Sequence, residues 1–287
     1  MGGFMAANLV KGGYDVAIYD ISKEAMDRVV KAGARRAASP AAAASDADVV
    51  MTMLPDSSHV HTAVFGDNGA SAGMKPGTLF IEMSTIAASA SAALAREIKA
   101  RGVRFVDAPV GRTPEDARKG TLLVMAGGSA ADIEEASPLF RCLADTIVHV
   151  GPEGHGIKLK LVNNYMSMVN MVLTAEALTL AAKAGLDRST VVKVLSGTTA
   201  GRGQLIVNYP KKVLAGDITP DFPLYMGHKD LGLALQFGSE VKAPLALGAI
   251  ARELFGLAMP MGRANQDCTA MLLLLEDLAS VPHEKDF

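Results

Sequence analysis

The chain has 287 residues, 49% apolar and 20% charged, the balance of an ordinary soluble globular protein with one large domain or two of usual size. Its 28 basic and 30 acidic side chains leave no electrostatic footprint for nucleic acid or an anionic membrane, so any cation that matters acts locally, in a pocket. Cys142 and Cys268, the only cysteines, make neither a disulfide framework nor a metal knuckle; no signal-peptide pattern is present and no apolar run approaches the roughly 20 residues of a bilayer span, so a cytoplasmic location is expected.

The chain opens as a helix from Met1 to Lys11, turns at Gly12-Gly13 and enters a strand over Asp15–Tyr19. Further strands are expected at Asp48–Leu54, Leu79–Met83, Arg104–Val106, Leu122–Ala126 and Thr146–Val150, each short, often β-branched and bounded by Gly, Pro or Asp. Helices such as Lys23–Ala32 and Ala88–Arg101 lie between them. Repeated β–α units predict an α/β, doubly wound, mainly parallel sheet of the Rossmann type, helices on both faces. After Gly156 strand signals stop, and helical periodicity runs from about Ile157 to Ala184, roughly 40 Å of helix, until Gly185. Helices at Arg188–Leu195, Lys229–Val241, Pro244–Ala258 and Asn265–Leu278 complete an all-α second half. The expected domains are 1–153 and 154–287.

Two features of the first half bear on ligand binding. A dinucleotide fold sets a strand and a Gly-x-Gly-x-x-Gly turn before its first helix, whose N-terminus receives the pyrophosphate; only the last glycine of that pattern is matched here, by Gly2. Asp20 ends the second strand of such a unit, where an acid accepts hydrogen bonds from the ribose hydroxyls and repels a 2′-phosphate, favouring NAD. Asp20 equally suits a cap for the helix starting near Ser22.

On the long helix, Lys160, Asn163, Asn164 and Ser167 fall at i, i+3, i+4 and i+7, one face, while Leu159, Leu161, Val162, Met166, Met168 and Val169 point elsewhere. Such a polar stripe lies in solvent, meets a partner or lines a pocket. The Met residues near 165–171 read as core or interdomain packing. His59 and His61 read as a solvated loop or helix start, with no nearby acid or Cys to complete a metal set, and no metal site is expected.

Met1 to Asp20, Thr52-Met53-Leu54-Pro55, Glu82-Met83-Ser84-Thr85, Asp107-Ala108-Pro109-Val110, Gly120-Thr121-Leu122, Gly127-Gly128, Lys160-Leu161-Val162-Asn163-Asn164 and His228-Lys229-Asp230-Leu231, in that order, resemble the β-hydroxyacid (3-hydroxyisobutyrate) dehydrogenase family. The resemblance covers the chain apart from the first strand and most of the Gly-rich turn, which this sequence lacks. It implies an NAD(H)-dependent oxidoreductase and a homodimer or homotetramer, with Met1, Gly2, Asp20, Leu54 and Thr85 lining the cofactor groove and Lys229 closing over it from the second domain. Leu54 and Thr85 equally suit strand-end packing.

Reducing an aldehyde builds negative charge on its oxygen, and a positioned ammonium stabilises that charge and supplies the proton; Lys160 has the chemistry, with Asn163 orienting the substrate. The usual family pattern after Pro-Val is Ser-Gly-Gly, a backbone nest for a carboxylate, whereas this chain has Gly111-Arg112-Thr113. Arg112 is either a surface loop residue or a planar cation for an oxyanion at the carboxyl edge of the sheet. Gly111-Arg112-Thr113, Asn163 to Ser167, Ser196 to Gly203 and Gly262 to Asp267 resemble the branch acting on a sulfonated aldehyde, although Cys268 departs from it. That branch implies reduction of 3-sulfolactaldehyde to 2,3-dihydroxypropane-1-sulfonate, with Arg112, Thr113, Asn163, Asn164 and Ser167 around the substrate. The rivals are a reductase of a carboxylate semialdehyde (succinic, tartronate or methylmalonate) and a non-catalytic NAD-binding or truncated protein. The expected partner is a small anionic aldehyde or alcohol.

Overall fold

The computed structural model describes residues 1–283. The chain divides into two compact units, Met1–Met166 and Ser167–Phe287, the division falling inside a long helix.

Unit 1 runs α1 (Gly2–Lys11), β1 (Ala17–Ile18), α2 (Lys23–Val30), β2 (Arg35–Arg36), α3 (Pro40–Ala44), β3 (Val49–Thr52), α4 (Ser57–Phe65), β4 (Leu79–Glu82), α5 (Ala88–Lys99), β5 (Arg104–Asp107), β6 (Val110–Gly111), α6 (Pro114–Lys119), β7 (Leu122–Gly127), α7 (Ala130–Leu143) and β8 (Ala144–Gly151). β1 and β2 form a separate parallel pair. The main sheet has the order β3-β4-β5-β7-β6, with β8 also on β7. β3, β4 and β5 are parallel, as expected; β7 runs antiparallel to β5 and β6, so the sheet is mixed. Pro109, which cannot donate to a ladder, separates β5 from β6, and its carbonyl accepts Met125 N–H.

Alternation along the strands builds two cores. Leu79, Ile81 and Val106 join Met5 and Leu9 of α1 and Ala136, Phe140 and Leu143 of α7 on one face. Phe80 and Phe105, stacked with ring centroids 5.9 Å apart, join Val60 and Val64 of α4 and Leu94 and Ile98 of α5 on the other. Helices thus cover both faces, the expected doubly wound arrangement.

α8 (His155–Lys183) begins in unit 1 and ends in unit 2, just before Gly185, whose φ of +75° only glycine adopts readily. By length and composition α8 could cross a bilayer, which corrects the expectation that no segment comes near that test. Unit 2 is otherwise α9 (Arg188–Gly197), α10 (Thr199–Arg202), α11 (Gln204–Val207), α12 (Leu224–Glu240), α13 (Ala246–Ala258) and α14 (Met271–Ala279), around a small core of Leu224, Ala258, Ala270, Met271 and Leu274. α12 starts five residues before its expected N-terminus, at extended Pro223. α14 starts later than expected, because Asp267 caps a short 3-10 turn over Cys268–Ala270 before it.

Candidate active site

The carboxyl ends of β3, β4 and β5 bring three loops together. Glu82, at the end of β4, is 1% exposed, and its carboxyl group takes the Ser84 N–H at 2.6 Å and the Thr52 hydroxyl. Burial pushes the Glu82 carboxyl above its ordinary range. Ser84 in turn accepts the Leu54 N–H at 2.8 Å, so this web fixes the β3 loop that carries Leu54 against the β4 loop that carries Thr85. Leu54 is half-buried and Thr85 exposed, both at the strand ends where ligands of doubly wound sheets bind.

Asp107 ends β5 and is fully buried. Its Oδ1 accepts Gly154 N–H and its Oδ2 accepts Ile157 N–H, each at 2.7 Å, at the start of α8. Burial raises the Asp107 carboxyl, and the two N–H donors pull it back down. Gly156 lies so close to the strands that a Cβ there would come within 2.5 Å of the carbonyl oxygens of Asp107 and Met125. Neither Glu82 nor Asp107 was given a role from sequence; the available signal was an acid closing an otherwise apolar buried strand.

Lys160 follows on the second turn of α8, half-buried, and burial lowers its ammonium below the usual 10.5. Asn164 and Ser167 are also half-buried, whereas Asn163 is exposed and its Nδ2 donates to Asn164 Oδ1 at 3.1 Å. The apolar residues of the helix show the reverse: Val162, Met168 and Met171 are 64%, 53% and 63% exposed. Met166, Met168 and Met171 are thus exposed, and the polar stripe is the more covered face.

Arg112 lies just past β6 at φ +77°, a left-handed conformation where the usual family pattern has glycine. Its guanidinium donates to both carboxylate oxygens of Asp145 (2.7 and 2.8 Å), to Thr146 Oγ1 (3.2 Å) and to the Thr121 carbonyl. Thr113 is the N-cap of α6 in a reciprocal capping box with Asp116. Both residues are thus engaged within unit 1.

α1 starts at Gly2 with no side-chain cap from Met1, leaving its first N–H groups to an anion, and Gly2 itself abuts Met53 of the β3 loop. Asp20 is exposed; its Oδ1 accepts Ser22 N–H at 2.8 Å, while the cap of α2 is Ser22. Asp20 therefore shapes the turn into α2. These residues fit a dinucleotide. In unit 2, Lys229 of α12 pairs with Asp230 at 2.9 Å. His59 lies exposed in the first turn of α4, where Asp56 Oδ1, 2.8 Å from its Nδ1, caps the helix and is held well below the carboxylate range by His59.

Residues 1–151 match the family model described as the NAD binding domain of 6-phosphogluconate dehydrogenase, and residues 154–275 match that described as NAD-binding of NADP-dependent 3-hydroxyisobutyrate dehydrogenase. The chain is 41% identical to 3-sulfolactaldehyde reductase of Escherichia coli (strain K12) over 95% of this chain and 91% of the relative. It is 34% identical to 2-(hydroxymethyl)glutarate dehydrogenase of Eubacterium barkeri over 98% and 93%. A solved oxidoreductase of Mycobacterium avium 104 superposes with a TM-score of 0.74 at 34% identity, over 92% of this chain and 95% of that one. With both halves matched in order and the relatives covered nearly end to end, the chain belongs to the β-hydroxyacid (3-hydroxyisobutyrate) dehydrogenase family and is an NAD-dependent oxidoreductase acting on hydroxyl and aldehyde groups.

Proposed function

We propose that the protein reduces 3-sulfolactaldehyde to 2,3-dihydroxypropane-1-sulfonate, a step of sulfoglycolysis, with NADH as reductant and Lys160 as proton donor. The observation that carries this reading is the 41% identity to an enzyme of that name over 95% of the chain, joined to Arg112 in place of the usual glycine.

NADH supplies the hydride that reaches the aldehyde carbon. The chain's own residues do the rest. Met1, Gly2, Asp20, Leu54 and Thr85 hold the cofactor. Lys160, its basicity lowered by partial burial, places an N–H against the aldehyde oxygen, stabilises the charge that develops there and gives up a proton; in the reverse direction the neutral amine accepts it. Asn163 and Asn164 orient the substrate by neutral hydrogen bonds. Arg112 and Thr113 serve the sulfonate, which is ionised at every physiological pH and offers three equivalent oxygens. The Arg112–Asp145 pair is exposed, so an incoming sulfonate replaces a carboxylate partner at little electrostatic cost.

The apolar residues left bare on α8, together with Leu205, Ile206, Phe237 and Ile250 of unit 2, support assembly into a dimer or tetramer. The two free cysteines fit a cytoplasmic setting.

The test is kcat/KM with NADH on 3-sulfolactaldehyde against succinic, tartronate and methylmalonate semialdehydes. A preference for the sulfonate of at least tenfold is expected. A preference for a carboxylate overturns the substrate and leaves the reaction type.

A further inference from the structure

We propose that Asp107 is the positioning residue of the active site: its buried carboxylate clamps the first turn of α8 to the carboxyl end of β5 and thereby sets where the Lys160 ammonium stands. The inference rests on Lys160 being the proton donor. Three observations carry it.

The first is the bond pattern. One carboxylate spans the entry to the helix, Oδ1 on Gly154 N–H and Oδ2 on Ile157 N–H, both at 2.7 Å. These N–H groups have no partner inside the helix, so a buried anion satisfies them and meets the positive end of the helix dipole. The second is proximity along the helix: Lys160 stands three residues beyond Ile157, about 4.5 Å of rise. A shift or tilt of the first turn therefore passes to the lysine almost undiminished. The third is the absence of play around the clamp. A Cβ at Gly156 would lie 2.5 Å from Asp107 O, and one at Gly127 would lie 2.6 Å from Asp107 Oδ1 and 2.7 Å from Gly156 N, so helix and strands meet backbone to backbone. Ile157, 2% exposed, packs with Phe80 and Phe105 on the same side. With no slack, the carboxylate's two bonds decide the helix register on the sheet.

Asp107→Asn keeps the volume but replaces one acceptor oxygen by an NH2 that faces a backbone N–H donor. One clamp bond is lost and the helix start is pushed away. A misplacement of about 1 Å costs on the order of 100-fold in rate, so kcat should fall about 10- to 100-fold. The KM for NADH should stay within about twofold of wild type, because the Asp107 carboxylate bonds Gly154 and Ile157, neither of which is assigned to the cofactor. The experiment measures kcat and both KM values on the full-length protein, normalised to folded protein by circular dichroism, beside Lys160→Ala. A folded Asp107→Asn protein with kcat within threefold of wild type overturns the inference, as does a loss that tracks only the folded fraction.

If Asp107→Asn does not fold, Gly154→Ala takes its place. That residue sits at φ +83° with no atom near its Cβ position, so the change strains the turn presenting the first clamp N–H without filling space. A fall in kcat of threefold or more at constant NADH KM supports the clamp; an unchanged kcat overturns it. Retained turnover in Lys160→Ala refutes the parent reading instead. A dead Lys160→Ala beside a fully active Asp107→Asn refutes only the clamp.

Discussion

Ser84→Ala separates the web at the cofactor loops from the rest of the fold. Ser84 is 1% exposed, and its Oγ is the acceptor for Leu54 N–H at 2.8 Å. Its own N–H bonds Glu82 through the backbone and survives the substitution. Alanine nearly conserves volume, so the cost is that of one N–H left without its acceptor, about 1–3 kcal/mol when fully buried. Leu54 is half-buried and water reaches part of the loop, which points to the lower half, about 1–2 kcal/mol. For a unit of Met1–Met166 each kcal/mol moves the melting temperature by about 2–4 °C, so a drop of about 2–8 °C is expected. If NADH binding must restore the loop, its dissociation constant rises by up to about 30-fold, the same free energy read in another equilibrium. Thermal melts and NADH fluorescence titration measure the two effects. A melting temperature within 1 °C of wild type refutes the energetic argument. A lowered melting temperature with unchanged NADH affinity refutes the assignment of Leu54 to the cofactor.

Lys160 is pulled below its usual value by burial, so reduction, which needs the ammonium, should be lost as pH rises through that lowered value, and oxidation should gain over the same interval; a pH profile flat up to 10.5 contradicts this. Glu82 is raised by burial, so it favours the fold below its unfolded value of 4.5 and that contribution is lost as pH rises through its folded value; relative to Glu82→Gln, wild type should lose up to about 1.4 kcal/mol per pH unit in that window, and parallel stability curves would count against it. Arg112→Ala removes a charge-assisted contact worth about 1.5–3 kcal/mol and should raise the KM of the anionic aldehyde about 10- to 100-fold while NADH binding stays constant; an unmoved KM takes Arg112 out of the substrate site. Cys268 is raised to about 11 by burial beside Asp267, so at pH 8 iodoacetamide should label it about 200-fold more slowly than an ordinary thiol; labelling at the ordinary rate contradicts the burial.

The strands most legible in the sequence are those whose neighbours are all apolar. Leu79–Glu82 and Leu122–Gly127 read as buried runs because both faces of the sheet are covered by helices. Arg35–Arg36 carries no such signal: both arginines are exposed, and the strand exists only because Ala17 and Ile18 offer a parallel edge. α7 holds Pro138 inside it, which weakens its periodic signature. At the site, the Lys160, Asn164 and Ser167 stripe was legible because helical period is written locally. Asp107 was not, because its partners Gly154 and Ile157 lie 47 and 50 residues away and nothing near Asp107 encodes them. Arg112 shows the converse: the sequence reports its departure from the family pattern, but its pairing with Asp145 is a matter of tertiary contact.

The central claim is that Lys160 supplies the proton when NADH reduces the aldehyde. Stopped-flow measurement of NADH oxidation by Lys160→Ala on 3-sulfolactaldehyde, with NADH affinity measured alongside, tests it most directly. A fall in kcat of about 100- to 10,000-fold is expected, with NADH binding within threefold of wild type. A Lys160→Ala protein that turns over within tenfold of wild type would contradict it.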